Sequence, residues 1–207
     1  MKGICLMKLM KFEDAKQEFN RSLHLNSAFI ESYFQLACIY EELEEYEKAN
    51  QCLDNYLHFD QQNSEVFFKK GVNLCEMGNL LEAQHNLVKA VELNSKFADA
   101  NFYLGYLLYK TYSYANALKY FEDAIFLERN YIEAYFYKAL CLEKLGRIEK
   151  AFEVTDLLIN KEPEYLEGSM LRFRFCFDRE NYSECLKMLN QLINNNVINS
   201  EIYFYKS

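Results

Sequence analysis

Apolar residues along the chain recur at the three- and four-residue spacing of a helix that is buried on one side. Ala117, Phe121 and Ala124, for example, share one helical face. Turn-forming stretches with a glycine, such as residues 77–79 and 145–147, separate these helical segments. The pattern predicts an all-α chain of short antiparallel helices.

Small residues occupy two fixed places that return every 34 residues. The first series is Gly3, Ala37, Gly71, Gly105 and Ala139, and the second is Ala15, Ala49, Ala83, Ala117 and Ala151. A pair of closely packed helices explains both places, because a larger side chain at either one would push the helices apart. Each repeat is therefore predicted to be one helix pair.

The period predicts a single array over residues 1–207, made of about five full repeats with a partial one at each end. The boundaries are 1–29 for the first partial repeat, then 30–63, 64–97, 98–131, 132–165 and 166–199, and 200–207 for the last partial repeat. The fifth full repeat departs most from the pattern, since Phe173 and Cys185 replace its small residues. Its helix pairing is expected to be looser or altered.

This pattern resembles the tetratricopeptide repeat family. The best match is LGYLLY followed by ALKYFEDAIFLERN, and Pro163 in KEPEY stands at the family's usual closing proline. The family's tryptophan near the start of the first helix is absent, and Tyr33, Phe67 and Tyr135 stand there instead. The resemblance implies an all-α, right-handed superhelical solenoid whose first helices line a concave groove.

Four places of each first helix share the face that, by this resemblance, looks into the groove. The second place is always acidic and the fifth is always large and apolar, while tyrosines stand at several sixth and ninth places. The predicted groove residues are Phe68, Lys69, Asp99, Phe102, Tyr103, Tyr106, Glu133, Phe136 and Tyr137. Such a surface suits a protein or peptide partner with apolar anchors and basic residues.

Simpler interpretations exist for the same residues. An acid in the first turn stabilises a helix through its dipole without any ligand, and a large fifth residue can serve packing. Tyr109, Tyr112 and Tyr114 are expected to close the turn between paired helices. The glutamate-rich run 41–47 is expected to be a solvated turn, with a contact for a basic partner as the alternative.

The groove positions argue against one well-known use of this family, the clamping of a terminal carboxylate by several cationic and amide side chains. They offer only Lys69 and Arg174, more than 100 residues apart. One carboxylate clamp is hard to assemble from such a pair.

The composition limits the classes of partner and the cellular compartments that are expected. The net charge of -8 disfavours nucleic acid and anionic membranes as partners. No stretch is apolar for long enough to span a membrane, and the apolar run near Met1 is too short for a signal peptide. The seven cysteines include no CxxC pair and are interpreted as reduced core residues of a cytoplasmic protein, with a metal or redox site as the alternative.

Candidate chemistry is sparse. His24 and His58 lie near the predicted ends of second helices, where a cation complements the helix dipole. No catalytic or nucleotide-binding motif occurs, so no enzyme activity and no cofactor are expected. The favoured function is a protein-interaction scaffold. The alternatives are an assembly segment that associates through the terminal helices, with Tyr203, Phe204 and Tyr205 exposed, and the repeat region of a longer enzyme.

Overall fold

The structure, a computed structural model, describes residues 2–194, and all regular structure within that range is helical. The helices are α1 Lys2–Lys8, α2 Phe12–Leu25, α3 Ile30–Glu42, α4 Tyr46–Phe59, α5 Ser64–Glu76, α6 Leu80–Leu93, α7 Ala98–Lys110, α8 Tyr114–Leu127, α9 Ile132–Lys144, α10 Ile148–Lys161, α11 Leu166–Asp178 and α12 Tyr182–Asn194. The all-α prediction is confirmed. Residues 200–207, with Tyr203, Phe204 and Tyr205, lie outside the described residues.

The chain divides into two compact units, an N-terminal unit Met1–Leu107 and a C-terminal unit Leu108–Ser207. In the N-terminal unit, each helix from α1 to α6 contacts its neighbours in the chain. The same holds from α8 to α12 in the C-terminal unit. Contacts between chain neighbours are the mark of a solenoid of stacked repeats. Helices α3, α5, α7, α9 and α11 begin at the residues at which the five full repeats were predicted to begin.

The small residues of the 34-residue period lie where two helices approach most closely. Ala37, Ala49 and Ala139 have no exposed surface. A Cβ atom added to Gly71 would lie 2.7 Å from the Cγ atom of Leu87 on the paired helix, which is too close for any real contact. Close packing therefore explains the period, as the sequence indicated.

The turns inside the helix pairs share one backbone device, a residue in the left-handed conformation just after the first helix. Gly78 and Gly146 take this place with φ of +77° and +71°. In four other turns the place is held by residues that bear a side chain, which are Met10, Glu44, Tyr112 and Glu180. In the Gly78 turn the Asn79 N–H donates to the Leu74 carbonyl at 2.9 Å, which satisfies an otherwise unpaired end of α5.

The two helices of the fifth full repeat pack on a core that differs from the small-residue contact of the other repeats. Phe173 and Cys185 are buried together with Cys176, Met188 and Leu189. Gly168 near the start of α11 makes a close approach to the preceding repeat instead, since a Cβ there would lie 2.7 Å from Leu158 Cδ2 on α10. The helix pairing is altered in composition, and a large core replaces the small-residue contact.

Candidate partner-binding surfaces

Within the described part of the chain, each acidic second place falls in the first turn of a first helix and is solvent-exposed. They are Glu31, Glu65, Asp99, Glu133 and Glu167. Helices α3, α9 and α11 lack a side-chain cap at the N-terminus, whereas Asn63 caps α5. An acid in the first turn therefore stabilises its helix, and its exposure leaves it accessible to a partner as well.

Two adjoining hollows of the N-terminal unit share the Phe68 and Lys69 side chains. Their volumes are about 260 and 400 Å³. We call the charged and aromatic residues that line them the Phe68 surface, which consists of Glu41, Tyr46, Glu65, Phe68, Lys69, Glu76, Phe97, Asp99 and Tyr103. Four of the predicted groove residues, Phe68, Lys69, Asp99 and Tyr103, thus line adjoining hollows.

The Phe68 ring is the centre of this surface. Its centroid lies 4.9 Å from that of Phe97 and 5.3 Å from that of Tyr103, with the Tyr103 ring edge-on. The Phe68 and Tyr103 side chains are half-buried, so the rings hold one another in place while part of each stays open. Fixed aromatic rings of this kind provide large contact area at little cost in conformational entropy.

Carboxylates dominate the electrostatics of the Phe68 surface. Four carboxylates and one ammonium group give it a formal charge of -3. Burial, followed by the charges of Asp99 and Glu76, raises the pKa of the Tyr103 phenol. Tyr103 therefore keeps its proton at neutral pH and can donate a hydrogen bond, while its surroundings attract a cation.

Lys69, the only cation of the Phe68 surface, is engaged inside the protein. Its Nζ atom lies 2.7 Å from Glu41 Oε2, with the two side chains 23% and 18% exposed. The same ammonium group lies 5.6 Å from the centroid of the Phe34 ring. Glu41 also accepts a hydrogen bond from the buried Asn73 amide at 3.1 Å, and Asn73 in turn donates to Asn50. Lys69 is thus a structural cation and not a free anchor for a carboxylate.

Phe102 and Tyr106 lie beside the Phe68 surface, and only Tyr106 keeps an appreciable exposed area. Phe102 is 9% exposed and packs edge-on against Tyr103 at 5.5 Å and parallel to Tyr106 at 6.4 Å. Phe102 therefore acts as a support for the two tyrosines, because little of its own ring is open to a partner.

The C-terminal unit contains its own hollow, of about 480 Å³. We call it the Met170 cleft; it is lined by Phe136, Leu140, Glu167, Met170, Leu171, Phe173, Arg174, Phe177 and Asp178. Phe136 is the only predicted groove residue in this lining. As in the Phe68 surface, the cation in the lining is paired with a carboxylate. Arg174 Nη2 donates to both oxygens of Glu143, at 2.7 and 2.8 Å.

Tyr137 and Glu133 lie in the C-terminal unit but outside the lining of the Met170 cleft. The Tyr137 ring is stacked on Phe121 at 5.7 Å and meets Tyr109 edge-on at 5.4 Å. It is half-buried, so packing accounts for much of its side chain. Glu133 is exposed in the first turn of α9.

Several aromatic residues that border the hollows were missed from the sequence, and one of them, Tyr46, lines the smaller hollow beside Phe68. Phe97 lines the Phe68 surface, and Tyr165 meets Phe136 edge-on at 5.8 Å. Burial, with the nearby Glu167 and Glu133 charges, raises the pKa of Tyr165 to about 12. The sequence did contain a signal for Phe97 and Tyr165, because three successive repeats end in an aromatic residue. These residues are Phe97, Tyr131 and Tyr165.

The interpretation of residues 41–47 as a solvated turn is wrong for Glu41, Glu42, Tyr46 and Glu47, which lie in helices α3 and α4. Glu41 belongs to the last turn of α3, and its carboxylate is held by Lys69 and Asn73. Glu44 does lie in the turn, with a φ of 57°. The turn proper is confined to the three residues between α3 and α4.

The seven cysteines are free thiols, and three are buried. Burial raises the pKa of Cys52 to about 11 and that of Cys141 to about 12, which makes both thiols poor nucleophiles. Within residues 2–194 no group of three His, Cys, Asp or Glu side chains is placed to hold a metal ion. His24 and His58 lie in the last turns of α2 and α4, as the sequence indicated. None of the helices in that range combines the length and apolar character that a membrane crossing needs.

Three family models described as tetratricopeptide repeats match the sequence, at residues 30–63, 68–131 and 133–165. Comparison with curated protein sequences gave no match.

Solved structures of repeat proteins resemble the chain in fold. The pilF protein of Pseudomonas aeruginosa is 21% identical, with a TM-score of 0.81 over 99% of this chain and 93% of that one. YrrB, described as a TPR protein with an unusual peptide-binding site, is 22% identical, with a TM-score of 0.74 over 91% of this chain and 97% of that one. MamA is 21% identical, with a TM-score of 0.74 over 80% and 96%. At these identities the likeness concerns the fold alone.

Proposed function

The chain belongs to the tetratricopeptide repeat family, whose fold generally serves as a protein-interaction module, and we propose that it holds a protein or peptide partner on the Phe68 surface. The observation that carries the proposal is the half-open pair of Phe68 and Tyr103 rings among four carboxylates. A fixed aromatic pair beside a hollow is the arrangement found at energetic hot spots of protein interfaces. A relative, YrrB, is described as binding peptide.

The charges of the Phe68 surface select the partner segment. With a formal charge of -3, the surface attracts lysine and arginine side chains next to an apolar anchor. A terminal carboxylate would find no free ammonium group there, because Lys69 is held by Glu41. The partner is therefore an apolar segment with basic residues on its flank, in which the anchor fills a hollow beside Phe68.

A capture experiment with matched variants tests this function. The wild-type chain, Tyr103→Ala and Phe126→Ala serve as baits in lysate of the source cell. Phe126 is an aromatic residue of α8 that is 85% exposed, and it lies outside the lining of the Phe68 surface and of the Met170 cleft. Wild type and Phe126→Ala should retain one specific protein that Tyr103→Ala loses. With that protein purified, the affinity should fall about ten-fold or more for Tyr103→Ala.

Charge variants distinguish the contact made by the aromatic rings from the long-range attraction exerted by the carboxylates. Asp99→Lys should weaken binding most at low ionic strength, because screening removes a long-range attraction. Glu82→Gln, an exposed acid of α6, is the control and should leave the affinity unchanged. Glu133→Lys tests whether the acidic row of the C-terminal unit also steers the partner. Equal affinity of wild type, Tyr103→Ala and Asp99→Lys would show that the Phe68 surface is not the working surface.

We also propose a reducing, cytoplasmic compartment. Seven free thiols without a disulfide are typical of such a setting. Fractionation of source cells with an antibody against the chain checks the location, and recovery with secreted protein would contradict it.

A further inference from the structure

We propose that Cys176 and Cys185 form a redox-active pair of thiols, which a small disulfide such as oxidised glutathione converts into a disulfide bond that joins α11 to α12. The pair lies in the C-terminal unit, and neither thiol lines the Phe68 surface. The proposal therefore goes beyond the proposed function and concerns the covalent state of the fifth full repeat. Disulfides in reducing compartments are typically transient and serve redox sensing.

The two cysteines lie nearly level with each other on neighbouring helices. Cys176 stands two residues before the end of α11, and Cys185 is the fourth residue of α12. Three residues connect the helices, so each cysteine lies within about 5 Å of the turn, measured along the helix axis. The Asn181 backbone holds both sides of the turn together. Its N–H donates to the Cys176 carbonyl at 3.0 Å, and its carbonyl accepts from the Cys185 N–H at 3.1 Å.

The repeat places both thiols on the sides of the helices that meet each other. Cys176 and Cys185 hold the eleventh and twentieth places of the fifth full repeat. In the first full repeat the same places are held by Tyr40 and Ala49, and Tyr40 packs against the core cluster that contains Ala49. In the fifth full repeat the two cysteines belong to one core cluster and are 0% and 4% exposed. The two thiols are therefore neighbours inside the contact between α11 and α12, which is the arrangement that a disulfide requires.

Arg172 provides a charge that stabilises a thiolate. Its Nη1 atom donates to Cys176 Sγ, one helical turn further along α11. The guanidinium is held by Asp156, whose Oδ1 atom lies 2.6 Å from Arg172 Nε, and by the Phe152 ring, whose centroid lies 3.5 Å from Arg172 Cζ. Burial raises the pKa of Cys176, and the charge of Arg172 opposes that rise. Because the thiolate is the attacking species in disulfide exchange, Cys176 is the first nucleophile of the pair.

Cys185 carries out the second step. Burial, followed by the charge of Cys176, raises the pKa of the Cys185 thiol, so Cys185 keeps its proton while Cys176 is a thiolate. The Cys176 thiolate attacks one sulfur of oxidised glutathione, the S–S bond breaks, and one glutathione leaves as a thiolate. Cys185 then loses its proton and attacks the Cys176 sulfur, and the second glutathione leaves. The protein thiols lose two electrons and two protons, and oxidised glutathione is reduced to two glutathione molecules.

The disulfide would change how readily the helix pair opens. Because both thiols are buried, glutathione reaches them only when α12 opens locally from α11. The bond formed afterwards restricts the open chain and therefore favours the closed helix pair. Oxidation thus fastens α12 to α11 close to their turn.

A redox titration of the full chain tests the pairing. The chain is equilibrated with mixtures of reduced and oxidised glutathione, quenched with acid, alkylated, and mapped by mass spectrometry without reduction. A peptide that links Cys176 to Cys185 should account for most of both residues in the most oxidising mixture. Cys5, which is exposed, should carry glutathione there, and the buried Cys141 should remain a thiol. Absence of the linked peptide, or a bond from Cys176 to any other cysteine, including one of a second copy, would overturn the proposal.

Cys185→Ala tests the second step. Alanine holds the twentieth place in the other four full repeats, so this variant suits the helix pair. The variant should trap glutathione on Cys176, whereas wild type should release it and give the linked peptide. Cys141→Ala is the matched control and should give the linked peptide as wild type does. If glutathione occupies Cys176 to the same extent in wild type and in Cys185→Ala, or in neither, the proposal is wrong.

Arg172→Gln in the Cys185→Ala chain tests the role of the charge. The rate at which glutathione attaches to Cys176 is measured from pH about 7 to about 10. Without the guanidinium the rise of this rate should move to higher pH, because the thiolate loses its cation. Loss of packing alone would change the rate equally at every pH. An unchanged pH profile would contradict the assignment of Cys176 as the nucleophile that Arg172 stabilises.

Amide hydrogen exchange shows whether oxidation fastens the helices. Amides of α11 and α12 should exchange about ten-fold more slowly in oxidised than in reduced wild type, and Cys185→Ala should show no such difference. Equal exchange in the two states of wild type would contradict the fastening. Capture on the Phe68 surface should be the same for the oxidised and the reduced chain. Failure of the redox pair is therefore distinguishable from failure of the proposed function.

Discussion

The N-terminal unit and the C-terminal unit use one position of the repeat for the same contact, but with different cations. Glu41 and Glu143 are each the twelfth residue of their repeat, and each accepts from a cation on the first helix of the next repeat. In the N-terminal unit that cation is Lys69, and in the C-terminal unit it is Arg174. Lysine meets Glu41 as a compact charge, whereas the arginine nitrogen meets both oxygens of Glu143.

The surroundings of the two pairs differ more than the pairs themselves. Both partners of the Glu41–Lys69 pair are largely buried. Glu41 also accepts a hydrogen bond from the buried Asn73 amide, which in turn donates to Asn50. The Arg174 side chain is 50% exposed at the edge of the Met170 cleft. The same contact is therefore largely buried in one unit and half exposed beside a cleft in the other.

Removal of the two glutamates should give the largest contrast between the units. Glu41→Ala leaves the Lys69 ammonium and one Asn73 N–H without their partner in a buried place, so we expect a loss of about 3 kcal/mol in the free energy of unfolding. Glu143→Ala leaves an exposed guanidinium that water can solvate, with an expected loss of about 0.5 kcal/mol. Urea unfolding followed by far-ultraviolet circular dichroism measures both changes.

A double variant shows whether the loss arises from the orphaned charge. Glu41→Leu with Lys69→Met removes both charges of the pair and should recover a large part of the stability lost in Glu41→Ala. Amide hydrogen exchange locates the effect, with faster exchange expected in α3 and α5 for Glu41→Ala. Equal losses for Glu41→Ala and Glu143→Ala would contradict the contrast between interior and surface.

The helices, and the pairs they form, follow from the sequence because one local rule repeats. A small residue at a helix contact is needed in every pair, so Gly71 and Ala83 identify the same geometry as Ala37 and Ala49. The left-handed turn residue repeats as well, but the sequence marks it only where it is glycine. Glu44 shows no such mark.

The candidate surfaces could be predicted only in part, because they depend on contacts between different places of successive repeats. The 34-residue period groups equivalent residues, whereas Glu41 and Lys69 are 28 residues apart and Glu143 and Arg174 are 31 apart. Tyr137 carries the same prediction as Tyr103, yet its ring lies against Phe121. Which side chain opens to solvent is decided by the neighbour it meets, and no single position in the repeat encodes that.

At high pH the Glu41–Lys69 pair should lose more of its stabilising effect than the Glu143–Arg174 pair. We expect this difference to be smaller than the one caused by removing the two glutamates. Burial acts to lower the pKa of Lys69, but the hydrogen bond and charge of Glu41, together with Cys38, outweigh it and hold the pKa above its ordinary value. The stabilisation from Lys69 is therefore complete below a pH of about 10.4, its unfolded pKa, and is lost as pH rises through the folded pKa. An arginine at the same place stays charged throughout.

Lys69→Arg isolates this titration from the many tyrosines and cysteines that ionise in the same range. Between pH about 9 and about 11.5, wild type should lose stability relative to Lys69→Arg, measured as the difference in urea midpoints, because folding raises the pKa of Lys69. Arg174→Lys makes the reverse comparison in the C-terminal unit. Because Arg174 is half exposed, that variant should follow its own wild type to within a few tenths of a kcal/mol. Parallel pH profiles for wild type and Lys69→Arg would show that Lys69 does not titrate with folding.

The smallest expected effect is one that the two units should share. Glu44 and Glu180 hold equivalent left-handed turn positions in the N-terminal and C-terminal units, with φ of 57° and 58°. Glycine adopts this conformation without the Cβ clash, so Glu44→Gly and Glu180→Gly should each stabilise the chain by about 0.5 kcal/mol in urea unfolding. Gly146→Ala, at the same place in another turn, is the matched control and should destabilise by a similar amount. A gain in one unit alone would mean that the units differ in their turns, and the contrast at Glu41 and Glu143 could then no longer be assigned to burial of the ion pair.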